Sequence, residues 1–247
     1  MAAYREPEEA PLGQRVRQFR LRAGGVRLRI GVGSALAGVG AITDTVAATT
    51  VHPAWVAFVF FGMLVPFAGA TMLVSAYRDR GLVLEVYEEG MMEHRGARHR
   101  RFRWEDVVTV TSDLRPRDRR DRSAAPFEHH TIKTRTGIAI DFTDAIADCN
   151  ELIAIVKRKT LPSLLARALE KIETGERVDF GEFRASRDGI EAEYDSASWE
   201  EIVGTEIVDD FELVIKGRGA TWMETRMLNV QNPHVLVALI DRMAKGT

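Results

Sequence analysis

The least polar stretch of the chain, Pro53 to Tyr77, runs for 25 residues without a charge. At about 1.5 Å per residue a helix of that length spans roughly 37 Å, more than the hydrocarbon core of a bilayer at about 30 Å. Pro66 lies inside it, and Trp55 and Tyr77 sit near its ends, where amphipathic aromatics favour the headgroup region. A second apolar run, Ile30 to Thr43, precedes it and grows to 18 residues when extended back to Val26, with Arg27 and Arg29 able to reach outward. Its small residues, Gly31, Gly33, Ala35, Ala37, Gly38 and Gly40, suit close helix packing. The pattern predicts a transmembrane hairpin over 26–77, with helices at about 26–46 and 53–77. Six arginines from Arg15 to Arg29 precede the hairpin, Arg78 and Arg80 follow it, and the loop 44–52 has no Lys or Arg. The positive-inside rule then places both termini in the cytoplasm of a multi-pass protein of the inner membrane. Residues 1–25 lack the early apolar core of a signal peptide and are expected to form a disordered arm.

Beyond the hairpin the periodicity changes to short alternating runs, and it repeats. GLVLEVY is followed by the turn Glu88-Glu89-Gly90, a polar hairpin and WEDVVTV from Trp104. VDFGEFRAS is followed by Arg187-Asp188-Gly189, IEAEY and WEEIVGTEI from Trp199. The order is the same in both halves, although glycine and tryptophan are 14 residues apart in the first and 10 in the second. Each half closes on an amphipathic helix. The first, capped by Thr143 or Asp144, carries Ala145, Ile146, Cys149, Leu152, Ile153 and Val156 at helical spacing. The second starts at Asn232-Pro233. Leu161 to Gly175, with Pro162 in its first turn, predicts a separate connecting helix. The expected units are one sheet-plus-helix module over 78–160, a connector over 161–176 and a second module over 177–247.

These residues resemble a known architecture. The hairpin followed by strand, EEG turn, strand and Trp-Glu-Asp-Val is similar to bacterial membrane-anchored proteins with pleckstrin-homology-like (PH-like) domains. REPEEAPLG, GLVLEVYEEG and VDFG also resemble a family of two-span membrane proteins from high-GC bacteria. The resemblance implies a membrane-anchored α+β fold: a two-helix hairpin, then two PH-like barrel or sheet modules, each plugged by its C-terminal helix. It implies no catalytic activity. The insertion Asp113 to Pro126 departs from the pattern.

Charge narrows the chemistry. Lys and Arg number 34 against 36 Asp and Glu, so a globally basic nucleic-acid binder is excluded. A single cysteine excludes a disulfide framework or a cysteine-rich zinc module. Arg95, Arg98, Arg100, Arg101 and Arg103 form the strongest candidate site, a basic hairpin for anionic lipid headgroups or a membrane-associated protein. Against that, alternating arginines on an exposed edge strand are a common guard against edge pairing. DLRPRDRRDR, Asp113 to Arg122, lacks apolar anchors and is expected to be a mobile loop without nucleic acid. Glu128, His129 and His130 invite a metal, but neighbouring strand residues face opposite ways, so no metal and no cofactor are expected. Cys149 is expected in the core, and Trp104 and Trp199 as anchors between sheet and helix. Trp222, Met223 and Met227 could line a groove. No GxSxG or GxxxxGK occurs, so the expected protein is not an enzyme but a membrane-bound binding or scaffolding protein. The alternative is a small transporter using Asp44 within the membrane.

Overall fold

The computed structural model describes residues 11–22, 34–35, 67–71, 73–74, 81–115, 127–208 and 212–245. Four small antiparallel sheets and two long helices make up these residues. The first sheet is a meander of β1 (Arg15–Arg20), β2 (Leu82–Tyr87), β3 (Gly90–Arg95) and β4 (Arg98–Arg103). A 3₁₀ turn at Trp104–Asp106 leads into the second, β5 (Val107–Arg115), β6 (Phe127–Thr134) and β7 (Ala139–Thr143). Helix α1 (Cys149–Glu173) follows. The second half repeats this order with β8 (Val178–Asp179), β9 (Arg184–Ala185), β10 (Gly189–Glu191) and β11 (Ser196–Ser198), then β12 (Ile202–Val208), β13 (Glu212–Gly217) and β14 (Ala220–Arg226), then α2 (Pro233–Lys245).

The expected fold class is corrected. Among the described residues no helix is long and apolar enough to cross a membrane. An uncharged run reports what a segment avoids and does not by itself make a spanning helix. The membrane hairpin, the membrane-anchored two-module fold built on it and the multi-pass location with both termini in the cytoplasm are therefore not supported. Most of 26–77, including Asp44, and 116–126 of the charged insertion lie outside the described residues. Within the expected disordered arm, 15–20 form β1, which pairs antiparallel with β2. Its alternation is masked by Arg15, Arg17 and Arg20, and only Phe19 is buried. Arginines on an edge strand discourage pairing with another chain, so this strand has a polar signature.

The helix between the halves also differs from expectation. Instead of a closing helix and a separate connector, one helix of 25 residues runs through Pro162. Leu152, Ile153, Ile155 and Val156 belong to the first core, with Leu84, Met91, Ile132 and Phe142. Leu164, Ala168 and Ile172 belong to the second, with Phe180, Phe183, Leu213 and Ile240. Proline removes one helical hydrogen bond but not the helix, because each side of it is held by a different core. The segment expected to connect therefore packs on the second half.

The repeat extends to individual atoms. The indole Nε1 of Trp104 donates to the Tyr87 carbonyl (3.2 Å), and that of Trp199 to the Ser186 carbonyl (3.1 Å); each acceptor lies three residues before the turn glycine. The backbone N–H groups of the same tryptophans donate to Glu89 and Asp188, one residue before it. Asp148 and Asn232, just before α1 and α2, both adopt left-handed backbone, with φ of 57° and 51°. Each offers its carbonyl to the amides three and four residues on.

A seam of polar contacts joins the halves. Asn232 Oδ1 accepts from the Val110 N–H (2.7 Å), while its Nδ2 donates to the Val108 carbonyl (2.9 Å). Arg167 donates to the Val107 carbonyl, and His234 Nε2 lies 3.3 Å from Thr160 Oγ1. The Thr160 hydroxyl gives its proton to the Val156 carbonyl, so His234 carries its own proton on Nε2. His234 Nδ1 is then a buried acceptor without a hydrogen-bond partner among the described residues. Burial, helped by the nearby Lys157 charge, pulls the His234 pKa down to about 4. The unfolded chain thus binds a proton near pH 6.5 that the folded chain refuses until about pH 4, and stability falls as pH drops through that window. Between pH 8 and pH 5 His234 is expected to cost about 2 kcal/mol of stability, measured by urea denaturation. His130, whose pKa burial lowers alike, adds its own acid loss, so His234→Gln is expected to reduce the slope and leave the part due to His130. An equal acid slope in that variant would move the effect to other groups.

Candidate functional site

The β3–β4 hairpin does not present its five arginines on one surface, because strand residues alternate between faces. Cross-strand partners share a face: Leu84 pairs with Glu93 and Glu93 with Arg100, while Arg95 pairs with Arg98. Leu84 is a core residue, so Arg95, Arg98 and Arg100 lie on the core-facing side at the turn end of the hairpin. Glu93, only 3% exposed, sits among them. Its carboxylate lies 3.2 Å from Arg95 Nε and 3.8 Å from an Arg100 nitrogen. Arg100 also donates to the Ala139 carbonyl on β7 (2.8 Å), which ties the two sheets of this half together. Arg95 Nε is buried and, despite its closeness to Glu93, is not aligned to donate. Arg101 and Arg103 occupy the other face, where Arg103 approaches Glu89 and Glu105.

That other face carries a polar cluster that periodicity alone did not reveal. Glu85 Oε2 accepts from the Tyr87 hydroxyl (2.8 Å) and meets His94 Nε2 (3.1 Å), and Oε1 accepts from Arg15 of β1 (2.9 Å). Burial pushes the Glu85 carboxyl up, but the bonds from Tyr87, Arg15 and His94 outweigh it and hold it below its ordinary value. The same contact with Glu85 pushes the Tyr87 phenol up. His94 Nδ1 and His99 Nδ1 are 2.8 Å apart, so one must carry the proton and the other accept it.

A third group lies where β6 begins, near the start of α1. His129 and His130 do face opposite ways. His129 pairs with Thr143 and lies 3.8 Å from Asp141, while His130 is 4% exposed beside Phe142. The neighbour that matters is two residues away. Glu128 shares the face of His130, and the start of α1 brings in Cys149. One potential donor atom from each of Glu128, His130 and Cys149 lies within 4.8 Å of the others. His130 Nδ1 is 2.9 Å from Ser112 Oγ and its Nε2 is 3.3 Å from Glu128 Oε2. Burial, with Lys157 and His129 adding positive charge, lowers the His130 pKa to about 4, so the ring is neutral at neutral pH. Burial and the Glu128 and Asp144 carboxylates push the Cys149 thiol up to about 12. A cavity of about 450 Å³ lined by Arg22, Glu128, Asp144, Asp148 and Cys149 opens beside them. The sequence signal for this cluster is Glu-x-His on one strand face plus the one cysteine of the chain.

The aromatic candidates are structural. Trp104 and Trp199 are buried anchors between turn and core. Trp222 packs against the second core, 6.4 Å from the Phe183 ring, and donates to Asp195 (3.0 Å), while Met227 is buried.

A family model described as a family of unknown function, DUF6585, matches residues 1–247. No curated protein and no solved structure matches the chain.

Proposed function

The chain belongs to the DUF6585 family, whose description assigns no activity, and from the site itself we propose that it is a non-enzymatic binding protein whose β3–β4 hairpin takes an anionic group of a partner. The observation that carries this is the charge balance at the turn end of the hairpin. Arg95, Arg98 and Arg100 face a single carboxylate, Glu93, which is the only acidic residue of the two strands. Arg95 Nε adds a buried donor with no aligned acceptor. A phosphate or carboxylate would supply that acceptor and balance the excess charge, and guanidinium forks suit such planar, bidentate contacts. Arg98 stands exposed beside the Gly96-Ala97 turn, where an incoming anion meets it first.

The test is co-sedimentation of the full chain with vesicles containing phosphatidylserine, against vesicles of phosphatidylcholine alone. Arg98→Ala combined with Arg95→Ala is expected to weaken binding by about 30-fold, at roughly 1 kcal/mol for each charge. Raising the salt is expected to weaken the parent in the same direction. Binding that survives both changes would overturn the anionic-surface reading.

A further inference from the structure

The geometry points to a site for a zinc-like divalent transition metal made by Glu128, His130 and Cys149. The donor set is one oxygen, one nitrogen and one sulfur. Sulfur and imidazole select against calcium and magnesium, which take oxygen, and favour zinc and its transition-metal neighbours. In a tetrahedral zinc site the ligand atoms stand about 3.5 Å from one another, given bonds of about 2.0–2.3 Å. The three atoms are already within 4.8 Å, so closing on a metal requires a contraction of about 1.3 Å at most.

The surroundings fit as well. His130 is neutral, which a metal requires of its imidazole. Without a metal, the Glu128 carboxylate accepts from Nε2–H and Ser112 donates to Nδ1. A metal on Nε2 needs the other tautomer, with the proton on Nδ1, and the Ser112 hydroxyl serves that one too by turning to accept. The thiol gives up its proton to solvent when sulfur takes the metal, and the positive ion replaces that proton among the Glu128 and Asp144 charges that disfavour a bare thiolate. The adjoining cavity, lined also by Asp144, leaves room for a fourth ligand from that carboxylate or from water. Glu128 and His130 lie on β6, and Cys149 is the first residue of α1, so a metal here would clamp the helix to the sheet.

Cobalt titration of the full chain tests this directly. The chain has one cysteine, so a thiolate-to-cobalt charge-transfer band can come only from Cys149. The expected result is a band that saturates at one cobalt per chain and is bleached by zinc. Glu128→Gln keeps the shape of a half-buried residue and is expected to weaken cobalt binding at least about tenfold with the fold intact by circular dichroism. His130→Gln is expected to weaken it further. No band at saturating cobalt would overturn the site. So would a band whose affinity is unchanged in both variants, since the metal would then be held by other residues.

Discussion

Alanine at Gly90 or at Gly189 is expected to destabilise the protein by about 3 kcal/mol or more, the upper range for overpacking a site that cannot yield. A β-carbon on Gly90 would stand 2.2 Å from the Phe102 carbonyl oxygen, and one on Gly189 would stand 2.0 Å from that of Ala197. Both obstacles are backbone, two residues before the tryptophan of their half, and neither can rotate away. Relief requires β3 to part from β4, or β10 from β11. That movement also pulls on the bonds from Trp104 to Tyr87 and Glu89, or from Trp199 to Ser186 and Asp188. Urea denaturation followed by tryptophan fluorescence checks the loss. Gly137→Ala serves as control: its φ is +82°, yet a β-carbon there meets nothing within 4 Å, so only about 1 kcal/mol of backbone strain is expected. If the Gly189→Ala loss does not exceed that of the control, the close approach is not what the glycine serves.

The same motif shows how far the sequence can be followed. Glycine, tryptophan and their order along the chain were visible, because turn and anchor need those residue types whatever surrounds them. Their hydrogen bonds were not, since a carbonyl acceptor has no residue identity. β1 was hidden because an edge strand guarded by arginine carries a polar signature. The continuous α1 was hidden because Pro162 reads locally as a helix start, and only burial of Leu152 in one core and Leu164 in the other carries the helix past it. The strongest hydropathy signal, over 26–77, predicted spanning helices that the described residues do not contain. At the candidate sites alternation was informative where applied with a step of two. It separates Arg98 from Arg101 and pairs Glu128 with His130. What it could not supply was the long-range approach of Cys149, a product of tertiary packing.

The seam between the halves should prove nearly as sensitive as the turn glycines, and Asn232 is its centre. Three bonds from one residue reach β5: the side chain contacts Val108 and Val110, and the backbone N–H donates to the Val110 carbonyl. The amide thus mimics a short strand segment laid along the edge of β5. Its carbonyl meanwhile starts α2 by accepting from Val235 and Leu236. Asn232→Ala removes both side-chain bonds, leaves the Val110 N–H and the Val108 carbonyl without them, and keeps a β-carbon at φ 51°. At about 1 kcal/mol for each orphaned group and about 1 for backbone that asparagine tolerates better, the expected loss is about 3 kcal/mol. Asn232→Gly loses the same bonds but relieves the backbone, so it is expected to recover about 1 kcal/mol. Asn232→Asp retains the acceptor for Val110 while setting a carboxylate oxygen against the Val108 carbonyl, and should fall close to alanine. Urea midpoints of the three variants at pH 8 decide the matter, because His234 is neutral there and contributes no acid effect. Equal midpoints for parent and alanine would mean that α1, threaded through both cores, and the other seam contacts hold the halves together without the Asn232 side chain.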